Sequence, residues 1–139
     1  MGYRSEVAIK CEEKAYKMLK ETCYKADIMP DKIFKDGDER IFYWDWIKWY
    51  ENYEEIAAIV KTLDKLDELQ DPNNETTDPI GYGYKFVRIG EDNDDVEVRQ
   101  NDWNIELYIV RKIDIPDELE ELPTDEFSEI QRSLRNWRN

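Results

Sequence analysis

Residues 32–50 read KIFKDGDERIFYWDWIKWY. Two apolar runs flank Asp36-Gly37-Asp38, and Asp-Gly between such runs is a strong hairpin signal. The return strand, Arg40 to Trp46, alternates its faces. Phe42, Trp44 and Trp46 would then point one way, and Ile41, Tyr43 and Ile47 the other. Both rows are apolar or aromatic, so two readings stay open. Either one row is core and a helix or loop covers the other, or a row of Trp and Tyr faces solvent and anchors a partner, as these residues do at interface hot spots. Stacking on nucleic-acid bases needs a basic groove beside the rings, and the net charge argues against one.

Outward from this hairpin the periodicity alternates between strand and helix. Glu6 to Cys11 has Val7, Ile9 and Cys11 on one face and predicts a strand. Glu12 to Ala26 carries Ala15, Tyr16, Leu19 and Cys23 at helical spacing, and Pro30 closes the segment. A second helix opens at Asn52 or Tyr53 and runs to about Leu69, with an apolar stripe of Ile56, Ile59, Val60, Leu63 and Leu66. Asp71 to Pro79 reads as a surface loop. Tyr82 to Ile89 predicts a strand, Gly90 to Asp95 a turn, and Val96 to Arg99 the strand that pairs back. Trp103 to Ile113 alternates and predicts a last long strand. The acidic connector Asp117 to Glu121 leads to a short helix, Asp125 to Trp137, with Thr124 as its N-cap. The expected architecture is α+β: a two-layer sandwich with a mostly antiparallel sheet of five to six strands, two longer helices and a short C-terminal helix. At 139 residues this is expected to be one acidic domain, residues 1–139, with 116–139 forming the connector and terminal helix.

Charge is unevenly placed. Residues 1–50 hold ten Lys/Arg and ten Asp/Glu, whereas residues 51–129 hold seven Lys/Arg against 24 Asp/Glu and so carry more than the whole net charge of −14. Such a block repels nucleic acid and anionic membranes and attracts basic protein surfaces. The magnitude exceeds the ~2–8 that suits solubility in a small domain, and self-repulsion costs stability, so the excess suggests a use. One use is to imitate the charge density of duplex DNA, about one charge per ~1.7 Å of axis.

The chain has no histidine. That removes Ser-His-Asp and Cys-His nucleophiles, a histidine base and every His-ligated metal site. Cys11 and Cys23 fit no zinc spacing and read as core residues. The Gly90–Asp95 turn departs from a calcium loop, because Val96 takes a ligand position and Glu97 stands where the glycine should be. Close carboxylate pairs such as Asp94/Asp95 and Glu120/Glu121 are expected by chance among 34 acids. There is no phosphate loop or dinucleotide fingerprint. The expectation is therefore no catalytic residue, no cofactor and no metal. No apolar run approaches a membrane span and no signal-type leader is present, which reads as a cytoplasmic protein.

Three patches, Met1-Gly2-Tyr3-Arg4-Ser5-Glu6-Val7-Ala8-Ile9, Trp46-Ile47-Lys48-Trp49-Tyr50 and Arg88-Ile89-Gly90-Glu91-Asp92, resemble a group of small acidic proteins encoded by phages and prophages. The resemblance implies a phage origin and a bacterial host cytoplasm. By analogy with small acidic phage proteins it implies action against host defence, as in anti-CRISPR and anti-restriction inhibitors.

The leading expectation is a non-enzymatic inhibitor that binds the basic, nucleic-acid-binding surface of a defence protein, with a CRISPR–Cas effector first among candidates. It would block DNA or RNA access without binding nucleic acid or membrane itself. The partner-binding candidates are Glu91, Asp92, Asp94, Asp95, Asp102, Asp117, Glu118, Glu120 and Glu121, with one exposed aromatic from Trp44, Trp46 or Trp49. A second expectation is an interaction or homodimeric module working through a Trp/Tyr surface. A third is a binder of a small signalling nucleotide, for which Arg4, Arg40, Arg88 and Arg99 would have to converge.

Overall fold

The computed structural model describes residues 2–70, 81–92, 94–109 and Leu119. The chain divides into two compact units, Met1–Ile109 and Val110–Asn139. All elements below belong to the first. The loop at 71–79, the connector acids Asp117, Glu118, Glu120 and Glu121, and the helix expected over 125–137 lie outside the described residues.

The order is β1 (Ser5–Cys11), α1 (Glu13–Lys25), β2 (Lys32–Asp36), β3 (Glu39–Ile47), α2 (Glu54–Gln70), β4 (Tyr84–Gly90) and β5 (Val96–Gln100). The strands form one antiparallel sheet in the order β2-β3-β1-β4-β5. The expected α+β class is therefore observed. The first strand of the chain sits at the centre, held by β3 on one side and β4 on the other.

Each element follows from local chemistry. The β2–β3 hairpin turns on Gly37, whose φ of 60° is left-handed backbone that an L side chain resists. Helix α1 has no side-chain cap at Glu12. Its free amides are met from outside: Ala15 N donates to the Gly81 carbonyl at 3.0 Å. The helix ends where Asp27 turns left-handed and Ile28 N donates back to the Cys23 carbonyl at 2.9 Å.

One face of the sheet holds the core. Val7, Ile9 and Cys11 of β1, Phe42 and Trp44 of β3, and Tyr84 and Phe86 of β4 join Ala15, Leu19 and Cys23 of α1 and Ile56, Ile59, Leu63 and Leu66 of α2 in one buried cluster. A chain of rings runs through it, from Tyr16 to Phe42 (5.5 Å), Trp44 (6.0 Å), Trp49 (5.8 Å) and Phe86 (5.6 Å). Both cysteines are fully buried, and burial pushes each thiol up to about 12.

The opposite face mixes the two kinds of residue: Ala8, Ile41, Tyr43, Val87 and Ile89 lie there with Glu6, Lys10 and Lys85. Lys10 is buried there, with its Nζ 2.7 Å from Asp36, 3.8 Å from Glu39 and 3.0 Å from the Glu106 carbonyl. This arrangement corrects the long strand expected over 103–113, since no strand forms over its described part, 103–109. Asp102 Oδ1 accepts from Asn104 N at 2.9 Å and the Asp102 carbonyl accepts from Ile105 N at 3.3 Å. That side-chain turn bends the chain off the sheet edge. The segment then meets Lys10 through Glu106 and Lys85 through the Tyr108 ring. Among the described residues no helix is long and apolar enough to cross a membrane.

Candidate interaction site at one end of the sheet

Ser5 opens β1 between Ile47 of β3 and Gly90 of β4. Two of the features singled out in the sequence therefore meet at this end of the sheet, two strand spacings or ~10 Å apart.

On the β3 side the register jumps. Val7 pairs with Trp44 but Ser5 pairs with Ile47, so β3 carries an extra residue opposite Glu6. Trp46 takes up the bulge with φ 68°. Arg4 Nη1 donates to its carbonyl at 3.2 Å. The bulge corrects the expectation that Trp44 and Trp46 share a face. Trp44 is 2% exposed and donates its indole N–H to the Ile28 carbonyl at 3.2 Å, whereas Trp46 is 47% exposed. Trp49 is core at 8%. Of the three candidate aromatics, only Trp46 can meet a partner. A bulky residue in left-handed backbone is uncommon, and such positions concentrate at functional sites.

On the β4 side the Gly90–Asp95 turn is locked from within. Gly90 N donates to the Asp95 carbonyl (2.8 Å) and Asp95 N to the Asp92 carbonyl (3.0 Å). Arg88 holds both oxygens of Asp95, Nη1 to Oδ2 at 3.1 Å and Nη2 to Oδ1 at 2.8 Å. It also reaches Glu97 and the Ser5 hydroxyl, each at 3.0 Å. Tyr3 relays the lock, donating its hydroxyl to Asp95 Oδ2 and accepting from Asp92 N at 3.1 Å. A Cβ on Gly90 would lie 2.0 Å from Asp95 Oδ2 and 2.2 Å from the Tyr3 oxygen, so the lock requires glycine at that position. The Arg88 guanidinium, then the Tyr3 hydroxyl, hold the Asp95 carboxyl below its ordinary range. Asp95 in turn raises Arg88 above its ordinary value. The Asp92 amide pulls the Tyr3 hydroxyl down, but the Asp95 carboxylate and desolvation together raise it, for a net rise.

Asp95 is thus a structural counter-ion rather than a free contact. Glu91, Asp92 and Asp94 are exposed and make no ion pair among the described residues. The structure brings these three carboxylates to the same end of the sheet as Trp46. Asp102 lies at the other end of the sheet, just after β5, where its side chain faces Gly83, just before β4, and builds the turn described above.

The four arginines do not converge. Arg4 holds Trp46, Arg88 holds Asp95 and Glu97, and Arg99 holds Asp64 at 2.6 Å and Asp67 at 2.7 Å. Arg40 lies over the Tyr16 ring and donates to the Gly37 and Glu39 carbonyls. No family model, curated protein or solved structure matches this chain. Among the described residues no three of His, Cys, Asp and Glu gather as a metal site would require. Two surface grooves, of about 280 and 320 Å³, flank α1, with Glu21 lining both beside lysines of α1 and α2, and neither includes a residue of the acidic turn.

Tyr3 and Arg88 are the residues that sequence reasoning missed as the lock. The signal was present in the hairpin: a turn over Gly90–Asp95 places Arg88 opposite Glu97. Tyr3 had no such signal, because its contact depends on β1 lying beside β4.

Proposed function

We propose that this protein is a non-enzymatic inhibitor of phage origin. It docks its acidic sheet end on the basic, nucleic-acid-binding surface of a host defence protein in the bacterial cytoplasm, a CRISPR–Cas effector being the first candidate, and so blocks DNA or RNA access. The observation that carries this reading is the locked turn: Glu91, Asp92 and Asp94 presented on a turn fixed by Arg88, Asp95 and Tyr3, beside an exposed Trp46. Carboxylates held in place lose less freedom on binding than mobile ones. They steer encounter with a basic surface, and the indole supplies the buried anchor. The helices lie behind the sheet in a two-layer sandwich on this reading, which leaves that end open.

The test is capture from a bacterial lysate at ~50 and ~500 mM salt. A nucleic-acid-binding protein that is retained at low salt, lost at high salt and displaced by duplex DNA supports the proposal. Gly90→Ala keeps the charge but breaks the lock, and should weaken capture nearly as much as neutralising Glu91, Asp92 and Asp94 together. A partner indifferent to salt, to DNA and to both variants refutes it. A second reading, an interaction module led by its aromatic surface, draws on the exposure of Trp46. It predicts that Trp46→Ala abolishes binding while neutralising the acids leaves it intact.

A further inference from the structure

The outer edge of β5 presents a row of backbone groups that no strand among the described residues pairs with. β5 is the last strand of the sheet and pairs only with β4 among the described residues. The bonds from Gly90 N to the Asp95 carbonyl and from Asn101 N to the Tyr84 carbonyl fix the phase of this ladder. Asp95, Glu97, Arg99 and Asn101 turn their backbone groups toward β4. Val96, Val98 and Gln100 therefore turn theirs outward.

An antiparallel copy centred on Val98 satisfies all of them. Val98 faces the partner's Val98, and Val96 faces the partner's Gln100, so every outward N–H and C=O meets an outward counterpart. The same register sets Glu97 opposite the partner's Arg99 on both sides of the two-fold axis, a favourable cross-strand pair. Centring the pair on Glu97 or Arg99 instead would set like charges face to face across the two-fold axis.

The side chains agree with the backbone. Val96 and Val98 are 41% and 53% exposed on the face opposite the core, and Val98 continues from buried Val87 directly across β4. Natural edge strands are commonly blunted by lysine or proline. The other edge, β2, has this protection in Lys32 and Lys35, whereas β5 has neither residue. Its two charges are drawn to the helix side, Glu97 to Arg88 and Arg99 to Asp64 and Asp67.

We propose that the protein self-associates as a two-fold dimer through β5, continuing the five strands of each copy into one ten-stranded sheet. Each copy carries −14, so association works against net repulsion and strengthens as salt screens it. This is opposite to the salt dependence of docking on a basic surface, which separates the two proposals experimentally.

Sedimentation velocity from ~1 to ~500 µM, at ~50 and ~500 mM salt, tests it. The mass should rise toward twice that of the chain with concentration, and further at high salt. Val98→Pro removes an outward amide that β4 does not use, and Val98→Lys sets two ammonium groups face to face. Each should weaken the dimer at least ~10-fold with the circular dichroism spectrum unchanged. The lysine variant carries the test if the proline variant fails to fold. Phe34→Lys on β2 should leave the dimer as it is. A chain monomeric under all conditions overturns the proposal. So does a dimer that survives both Val98 variants, or one that Phe34→Lys abolishes.

Discussion

Trp→Phe at positions 44 and 46 makes the same chemical change two residues apart, and the bulge predicts unequal outcomes. At Trp44 the change deletes the indole N–H that satisfies the Ile28 carbonyl. Leaving that buried carbonyl unpaired costs about 1–2 kcal/mol. The smaller ring also leaves a void between Phe42 and Trp49, on the order of 1 kcal/mol. The sum is about 2–3 kcal/mol, which at ~4–5 °C per kcal/mol lowers the melting temperature by about 10 °C. At Trp46 the indole makes no hydrogen bond among the described residues and is about half exposed, so the same change should cost under ~0.5 kcal/mol. Urea unfolding followed by circular dichroism, with slopes matched between variants, measures both. Equal losses at the two positions would show that Trp46 is packed like Trp44, and would refute both the bulge and the anchor role assigned to it.

Three further outcomes follow from the geometry. The Arg88–Asp95 lock holds the Asp95 carboxyl below its ordinary 3.8, so its stabilisation is complete above that value and fades as pH falls through the lower folded one. A carbon-detected titration of Asp95 should give a midpoint below 3.8, and a midpoint at or above it contradicts the lock. Cys11 and Cys23, with thiols raised to about 12, should not react with a thiol reagent at neutral pH until urea unfolds the chain; fast labelling of the native protein would overturn their placement. Gly37→Ala should cost about 1 kcal/mol through backbone strain alone, because nothing lies within 4 Å of the added methyl, and Gly37→Asn should cost less.

Most of the fold was legible because its signals are local. The Asp-Gly turn, the helical stripes and the alternation of β1 and β4 each depend on residues within a few positions of one another, and each element was found near its expected bounds. Two features were not. Alternation over 40–47 placed Trp44 and Trp46 together, but the bulge that separates them is a mismatch of β3 with β1, some 40 residues away in sequence. The alternating run from Trp103 looked like a strand because periodicity does not reveal whether a sheet edge is there to receive it. Asp102 had already turned the chain aside. The acidic turn was found from composition, but composition could not separate Asp95, which is consumed by Arg88, from Glu91, Asp92 and Asp94, which are not.

The central position of β1 has a consequence for synthesis. The strand leaves the ribosome first, yet its neighbours are β3 and β4, and its Ser5 meets Gly90 only after nearly the whole unit has been made. Helix α1 follows at once, so Ala15, Leu19 and Cys23 can shelter Val7, Ile9 and Cys11 during that wait. One side of β1 is completed when the 32–47 hairpin arrives. The other stays open through all of α2, and closing it is the long-range step expected to be slow. A chain halted before residue 81 should therefore leave half of the β1 amides open to hydrogen exchange. The central strand of the sheet thus waits half-paired until β4 has been made.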